Sequence, residues 1–159
     1  MTSPTFILPE HFAIPQRPPK EGMTPSEDAR AAGAKAEPAR ILIVEDDFLI
    51  GMQSEAALIE AGYHVVGTAT TAEEAVELAA GERPFLAVMD IRLASKRDGI
   101  DAARELFDDH GIRCIFATAH DDPVTRDRAK PYAPLGWLAK PYTMASLVAL
   151  VAEALTKLD

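Results

Sequence analysis

After Arg40 the chain alternates between short apolar runs and stretches of helical length, and it does so five times. The runs are Ile41-Leu42-Ile43-Val44, His64-Val65-Val66-Gly67, Phe85-Leu86-Ala87-Val88-Met89, Cys114-Ile115-Phe116-Ala117 and Leu135-Gly136-Trp137-Leu138. Strands covered on both faces read as near-continuous apolar runs, and parallel strands need long crossovers, usually helical. Right-handed crossovers turn this alternation into an α/β fold: a doubly wound, five-stranded parallel sheet with helices on both faces. Such a sheet gathers the C-terminal ends of all its strands on one edge, with the ligand crevice outside them.

The helical stretches carry their own signals. Over 47–61, Leu49, Met52, Ala56 and Ile59 recur at helical spacing and predict the buried face, with Gly62 placed to close the helix in a left-handed conformation. Thr71 and Glu74 form a predicted capping box for a helix ending near Gly81. A third helix is predicted over 99–109, with Gly111 beyond it. The stretch 122–130 has only Val124 and Ala129 as apolar residues and is followed by Pro131 and Pro134, so it is expected to be short or mobile. Thr143 caps a last helix with a stripe of Leu147, Leu150, Val151, Ala154 and Leu158.

Residues 1–39 differ in texture. They hold Pro4, Pro9, Pro15, Pro18, Pro19, Pro25 and Pro38, and the part from Glu21 onward is alanine-rich and charged without helical periodicity. They are read as a disordered extension ahead of a folded domain over 40–159, with Phe6, Ile7, Leu8, Phe12 and Ile14 as an apolar cluster able to dock. The net charge of −9 repels phosphate backbones and argues against direct nucleic-acid binding. No apolar run approaches the ~20 residues needed to span a bilayer. The single cysteine makes neither an internal disulfide nor a cysteine zinc site, so a reducing cytoplasm is the expected compartment.

The strand ends carry the chemistry. The first strand runs into Glu45-Asp46-Asp47, the third into Asp90, the fourth into Thr118, and the fifth is followed by Lys140-Pro141. Any one polar residue there means little, but the topology brings all of them to the same edge. Clustered carboxylates stay ionised together only beside a cation, and oxygen donors of this kind suit a hard ion such as Mg²⁺. Without metal, their repulsion is expected to destabilise the fold. A carboxylate can attack phosphorus, while an ammonium and a hydroxyl engage the remaining phosphoryl oxygens. Asp47 is the exception and is read as a helix N-cap.

These segments, with Val88-Met89-Asp90, Ala117-Thr118-Ala119 and Leu138-Ala139-Lys140-Pro141-Tyr142, resemble the receiver domain of two-component response regulators, a flavodoxin-like fold. The resemblance covers about 40–158. It implies Asp90 as phosphoacceptor, Glu45 and Asp46 as the acidic pair for Mg²⁺, and the main-chain carbonyl of Arg92 as a further ligand beside Asp90. It implies Thr118 and Lys140 as the groups touching the phosphoryl, Thr118 and Trp137 as switch residues, and a cis Lys140-Pro141 bond. The implied donor is a histidine kinase or histidine phosphotransfer protein, and the implied chemistry is Mg²⁺-dependent self-phosphorylation and dephosphorylation only. A change on the surface of the fourth and fifth helices and the fifth strand would alter affinity for an unidentified partner.

The loop from Asp90 to Gly99 is one residue longer than the commonest spacing in the family, which leaves its geometry open. Arg92 and His120 flank the path of a water attacking an acyl phosphate, or are simply solvated. Cys114 reads as an inert buried thiol. With no output domain before Asp159, the expectation is a stand-alone receiver that signals by protein contact or phosphoryl relay. Two alternatives stand beside it. One is a receiver-like binding module that never takes phosphate. The other is a Mg²⁺-dependent phosphohydrolase with an aspartyl nucleophile, disfavoured because Arg92 stands where such enzymes usually place a second aspartate.

Overall fold

Residues 36–159 are described in the computed structural model. The extension expected over 1–39, with its apolar cluster, lies outside them apart from 36–39, which form no regular element. The element order is β1 (Arg40–Val44), α1 (Phe48–Glu60), β2 (His64–Ala69), α2 (Ala72–Glu82), β3 (Leu86–Asp90), α3 (Gly99–His110), β4 (Arg113–Thr118), α4 (Pro123–Ala129), a 3-10 turn (Lys130–Tyr132), β5 (Gly136–Ala139) and α5 (Met144–Thr156). All strands are parallel, in the order β2-β1-β3-β4-β5. The chain therefore leaves β1 to one side and returns to its other side as β3. That reversal splits the crossover loops and opens a crevice at the C-terminal ends of β1 and β3.

The strands alternate as a pleated sheet must. Leu42, Val44, Met89 and Phe116 point to one face and meet Ala75, Ala79, Ala103 and Leu106. Ile41, Ile43, Val88 and Ile115 point to the other and meet Leu58, Leu147, Val151 and Ala154. The strands differ from expectation chiefly at their ends. Phe85 is exposed and stands before β3, β2 extends to Ala69, and β5 begins at Gly136.

Helix α1 corrects the predicted face. Leu49, Met52 and Ile59 are exposed, as are Phe48 and Ala56, while Gly51, Ser54 and Leu58 are buried. Both triplets fall at helical spacing, because a helix this apolar offers two stripes with the right period. The small stripe wins because it lets the helix lie close to the sheet: a Cβ on Gly51 would stand 3.3 Å from the Thr68 methyl. The last helix buries Leu147, Val151 and Ala154 of its predicted stripe.

The caps also refine the reading. Asp47 accepts from Ile50 N at 3.0 Å, as expected of an N-cap. Thr71 caps α2, but the Glu74 carboxylate accepts from Thr70 N and its hydroxyl rather than from Thr71. α2 runs to Glu82 and closes on Arg83 at φ 47°, not on Gly81. α3 has a reciprocal capping box between Asp98 and Asp101. The long loop after β3 is pinned by Ser95, whose hydroxyl donates to Arg97 O at 2.7 Å and accepts from Ala72 N at 3.3 Å. The segment expected to be short or mobile forms the seven-residue α4 and the 3-10 turn, and buries only Ala129. No helix among the described residues is long and apolar enough to cross a membrane.

The exchange of faces on α1 has a direct consequence for stability. Leu58→Ala should destabilise by about 2–4 kcal/mol in urea unfolding, while Leu49→Ala and Met52→Ala should each change stability by less than about 1 kcal/mol. The reverse ranking would restore the face predicted from periodicity.

Candidate functional site

Strand register builds the site. Val44 pairs with Met89, so the residues that follow β1 stand beside the end of β3. Asp90 pairs with Ala117, which sets Thr118 one residue beyond it. Lys140 N donates to Thr118 O at 2.9 Å and fixes the lysine against β4. Gly99 completes the floor: its N–H donates to Ile91 O at 2.7 Å, and a Cβ there would lie 2.0 Å from Asp90 O. Only glycine tolerates so close a backbone approach.

The result is a cleft of about 660 Å³ lined by Glu45, Asp46, Asp47, Asp90, Arg92, Thr118, His120 and Lys140, among others. Of the residues singled out from sequence, the structure thus brings together Glu45, Asp46, Asp90, Arg92, Thr118 and Lys140. Trp137 stands apart, stacked on Phe116 with ring centroids 5.1 Å apart. Carboxylate oxygens of Glu45, Asp46 and Asp90 lie within 4.8 Å of one another. Glu45 and Asp90 are buried, and Asp46 is exposed.

Lys140 holds the two buried acids. Its Nζ donates to Glu45 Oε2 at 2.9 Å and stands 3.1 Å from Asp90 Oδ2. Glu45 Oε1 also accepts from Asp47 N at 3.1 Å, tying the acid to the start of α1. Burial pushes the Asp90 carboxyl up, and the neighbouring Glu45 charge adds to this. Lys140 pulls the other way, and the balance stands at about 7. Desolvation works against the Lys140 ammonium, but Glu45 and Asp90 outweigh it and hold its pKa above the usual value. One ammonium therefore faces two carboxylates that burial has stripped of water. Oxygen donors this close, in charge excess over their cation, fit a small hard divalent ion.

Thr118 is buried, and its hydroxyl is engaged by the loop: it accepts from His120 N and donates to His120 O, each at 3.0 Å. The Lys140-Pro141 bond is cis. Burial lifts the Cys114 thiol to about 12, which leaves it inert.

The response regulator receiver domain model matches residues 41–152. The chain belongs to the response regulator receiver family. Receivers of this kind are signalling modules, not enzymes in the usual sense. This receiver is 36% identical over 133 residues to the transcriptional regulatory protein PdtaR of Mycobacterium tuberculosis, covering 84% of the chain and 62% of PdtaR. It is 38% identical over 117 residues to the phyllosphere-induced regulator PhyR of Methylorubrum extorquens, covering 72% of the chain and 43% of PhyR. The chain thus spans less than two thirds of either relative. Among solved structures, the signal receiver domain of a modulated diguanylate cyclase from Desulfovibrio desulfuricans superposes with a TM-score of 0.70 at 36% identity, over 76% of this chain and 96% of that one.

Sequence reasoning missed two arginines. The Arg126 guanidinium lies 4.8 Å over the Trp137 ring, and Arg128 pairs with Asp98 at 2.8 Å. Both reach partners in other elements, and no local spacing signals such contacts.

The elevated Asp90 carboxyl makes stability depend on pH. Unfolded, the group titrates near 3.8; folded, near 7. The stability it contributes is therefore full below about pH 4 and is lost as pH rises toward 7. In metal-free buffer Asp90→Asn should match wild type at or below about pH 4 and exceed it by on the order of 1–3 kcal/mol at pH 8, read by chemical denaturation. A constant difference across that range would mean that the Asp90 carboxyl is not lifted.

Proposed function

We propose that this receiver accepts a phosphoryl group on Asp90, with Mg²⁺ as cofactor, from a histidine kinase or histidine phosphotransfer protein. The observation that carries the reading is the convergence of Glu45, Asp46 and Asp90 around Lys140 in one cleft. The donor set fits the ion: Asp46 and Asp90 would ligate it with the main-chain carbonyl of Arg92, and Glu45 would complete the acidic wall. When bound, Mg²⁺ would supply positive charge that keeps the carboxylates ionised and offsets charge on phosphoryl oxygens.

The residues of the chain do the rest. Asp90 Oδ attacks phosphorus in line, an O–P bond forms, and the P–N bond to the donor imidazole breaks. The electron pair returns to the imidazole, which takes up a proton. Lys140, already 3.1 Å from Asp90, engages a phosphoryl oxygen, and the Thr118 hydroxyl turns inward to donate to another. Hydrolysis by water reverses the state, with Arg92 and His120 on its approach.

The donor must reach the mouth of the cleft. Phe48, Leu49 and Met52 are exposed at the start of α1, directly after Asp47 of the cleft lining, and a groove of about 440 Å³ lined by Ile50, Gln53, Pro141, Tyr142 and Met144 adjoins the cleft through Ile50 and Lys140. An apolar helical surface on the donor suits this surface. The output is protein contact or onward relay of the phosphoryl group, and the reading places the receiver in the cytoplasm beside such donors.

Incubation with Mg²⁺ and a small phosphodonor should raise the intact mass by one phosphoryl group, and Asp90→Asn should abolish the gain. Stoichiometric labelling of that variant would reassign the nucleophile. A Phe48→Glu, Met52→Glu double variant should slow transfer from a phosphotransfer protein by about tenfold or more while labelling by the small donor is unchanged. Equal loss with both donors would place the defect in the cleft instead.

A further inference from the structure

We infer that Ser95 is a positioning residue for the metal site. Its hydroxyl ties the loop that carries Arg92 to the first residue of α2, sets that loop before a divalent ion arrives, and couples the ion to the start of α2. On the reading above, the main-chain carbonyl of Arg92 is a ligand of the ion, and the role of Ser95 rests on it.

The loop between β3 and α3 is firmly held at both ends. Ile91 N donates to Ala117 O at 3.3 Å, and Gly99 N donates to Ile91 O at 2.7 Å, which closes the loop at its base. Arg97 is bonded to Glu105, and Asp98 caps α3. The stretch 92–96 lies between these anchors. Arg92, Ala94 and Lys96 are exposed there, and Arg92 lines the cleft. Two residues hold the stretch: Leu93 packs on the core, and Ser95 is the polar anchor. Freedom grows with each residue a loop contains, and a ligand on a free loop must be ordered when the ion binds. Ordering it beforehand removes that cost, so the anchors of this stretch bear directly on affinity.

The Ser95 hydroxyl works in two directions. It donates to Arg97 O at 2.7 Å within the loop, and it accepts from Ala72 N at 3.3 Å, 23 residues away in the chain. Ala72 is the first residue of α2 and is fully buried, so its N–H is one of the donors that a helix start leaves without an internal partner. The N-cap does not serve it, because the Thr71 hydroxyl accepts from Glu74 N at 3.2 Å. Two hydroxyls thus divide the start of α2, one from its own cap and one from the cleft loop. Without Ser95 the Ala72 donor would stand buried and unpaired, so the helix holds the loop as much as the loop holds the helix. The peptide between Arg92 and Leu93 carries the assigned carbonyl, and it lies between the pinched base and this pin. Losing a contact made directly to a metal ligand lowers affinity by about tenfold to a hundredfold. Ser95 acts through the chain between it and Arg92, so its share is smaller. Coupling between two events is reciprocal: a pin that favours the ion is itself tightened by the ion, by the same factor.

The experiment titrates the isotope-labelled full chain with MgCl₂ and follows amide shifts around the cleft by NMR. Ser95→Ala should raise the Kd for Mg²⁺ by about threefold to tenfold, and Ser95→Thr, which keeps the hydroxyl, should stay within about twofold of wild type. Thr71→Ala removes the other hydroxyl at the start of α2, which does not touch the loop, and should leave the Kd unchanged. A further measurement needs no variant: in wild type the Ala72 amide should exchange with solvent about threefold to tenfold more slowly at saturating Mg²⁺. A wild-type Kd in Ser95→Ala, an equal rise in Thr71→Ala, or an Ala72 amide indifferent to bound Mg²⁺ would each overturn the positioning role and leave the cleft as the metal site. If wild type itself gives no saturable shift, the metal reading and the role of Ser95 fall together.

Discussion

One ammonium group, Lys140 Nζ, holds together two buried carboxylates that would otherwise repel each other. Glu45 and Asp90 are nearly stripped of solvent, so neither can rely on water to stabilise its charge. Breaking a buried pair by removing one partner is far more disruptive than forming it is helpful. The site is therefore poised: one positive charge is present, the negative charge exceeds it, and Asp46 adds a third carboxylate at the open side. Burial, and after it the Glu45 charge, lifts the Asp90 carboxyl, and the excess of negative charge makes the cleft receptive to a further cation. A more neutral pocket would be a more stable one and would hold a cation less well, an exchange of stability for binding common at such sites.

The fold exists to hold that imbalance in place. Reversal of strand order between β1 and β3 is what sets Glu45 and Asp46 next to Asp90. Gly99 lets the chain return against Asp90 with no side chain in the way. Lys140 reaches the acids because its own N–H is fixed to Thr118 O. From the same strand end the Thr118 hydroxyl faces the loop that leads to α4, so the cleft and the least firmly packed helix share one connection. Local charge at the strand ends can thereby bias a distant surface without any change to the core.

Much of this was legible in the sequence, for a physical reason. Apolar β-branched runs that alternate with helices force a parallel sheet, and a parallel sheet forces its strand ends together, so Glu45, Asp46, Asp90, Thr118 and Lys140 could be placed in one region without coordinates. The buried face of α1 was not legible, because Leu49, Met52 and Ile59 satisfy the helical period as well as Gly51, Ser54 and Leu58 do. Only contact with the sheet at Thr68 decides between them. Arg126 over Trp137 and Arg128 on Asp98 were invisible for another reason: their partners lie in other elements, and charge on a short helix reads as plain solvation until the neighbours are known. The bonds from Thr118 to His120 depend on a side-chain rotation that no pattern of residues encodes.

The sharing of Lys140 between two buried acids is open to direct observation. Carbon NMR of the Asp90 carboxyl in the metal-free protein, followed against pH, should give a midpoint near 7. A midpoint near 4, the value for an ordinary solvated aspartate, would show that burial and the Glu45 charge do not outweigh Lys140, and the reading of the cleft as charge-poised would fail.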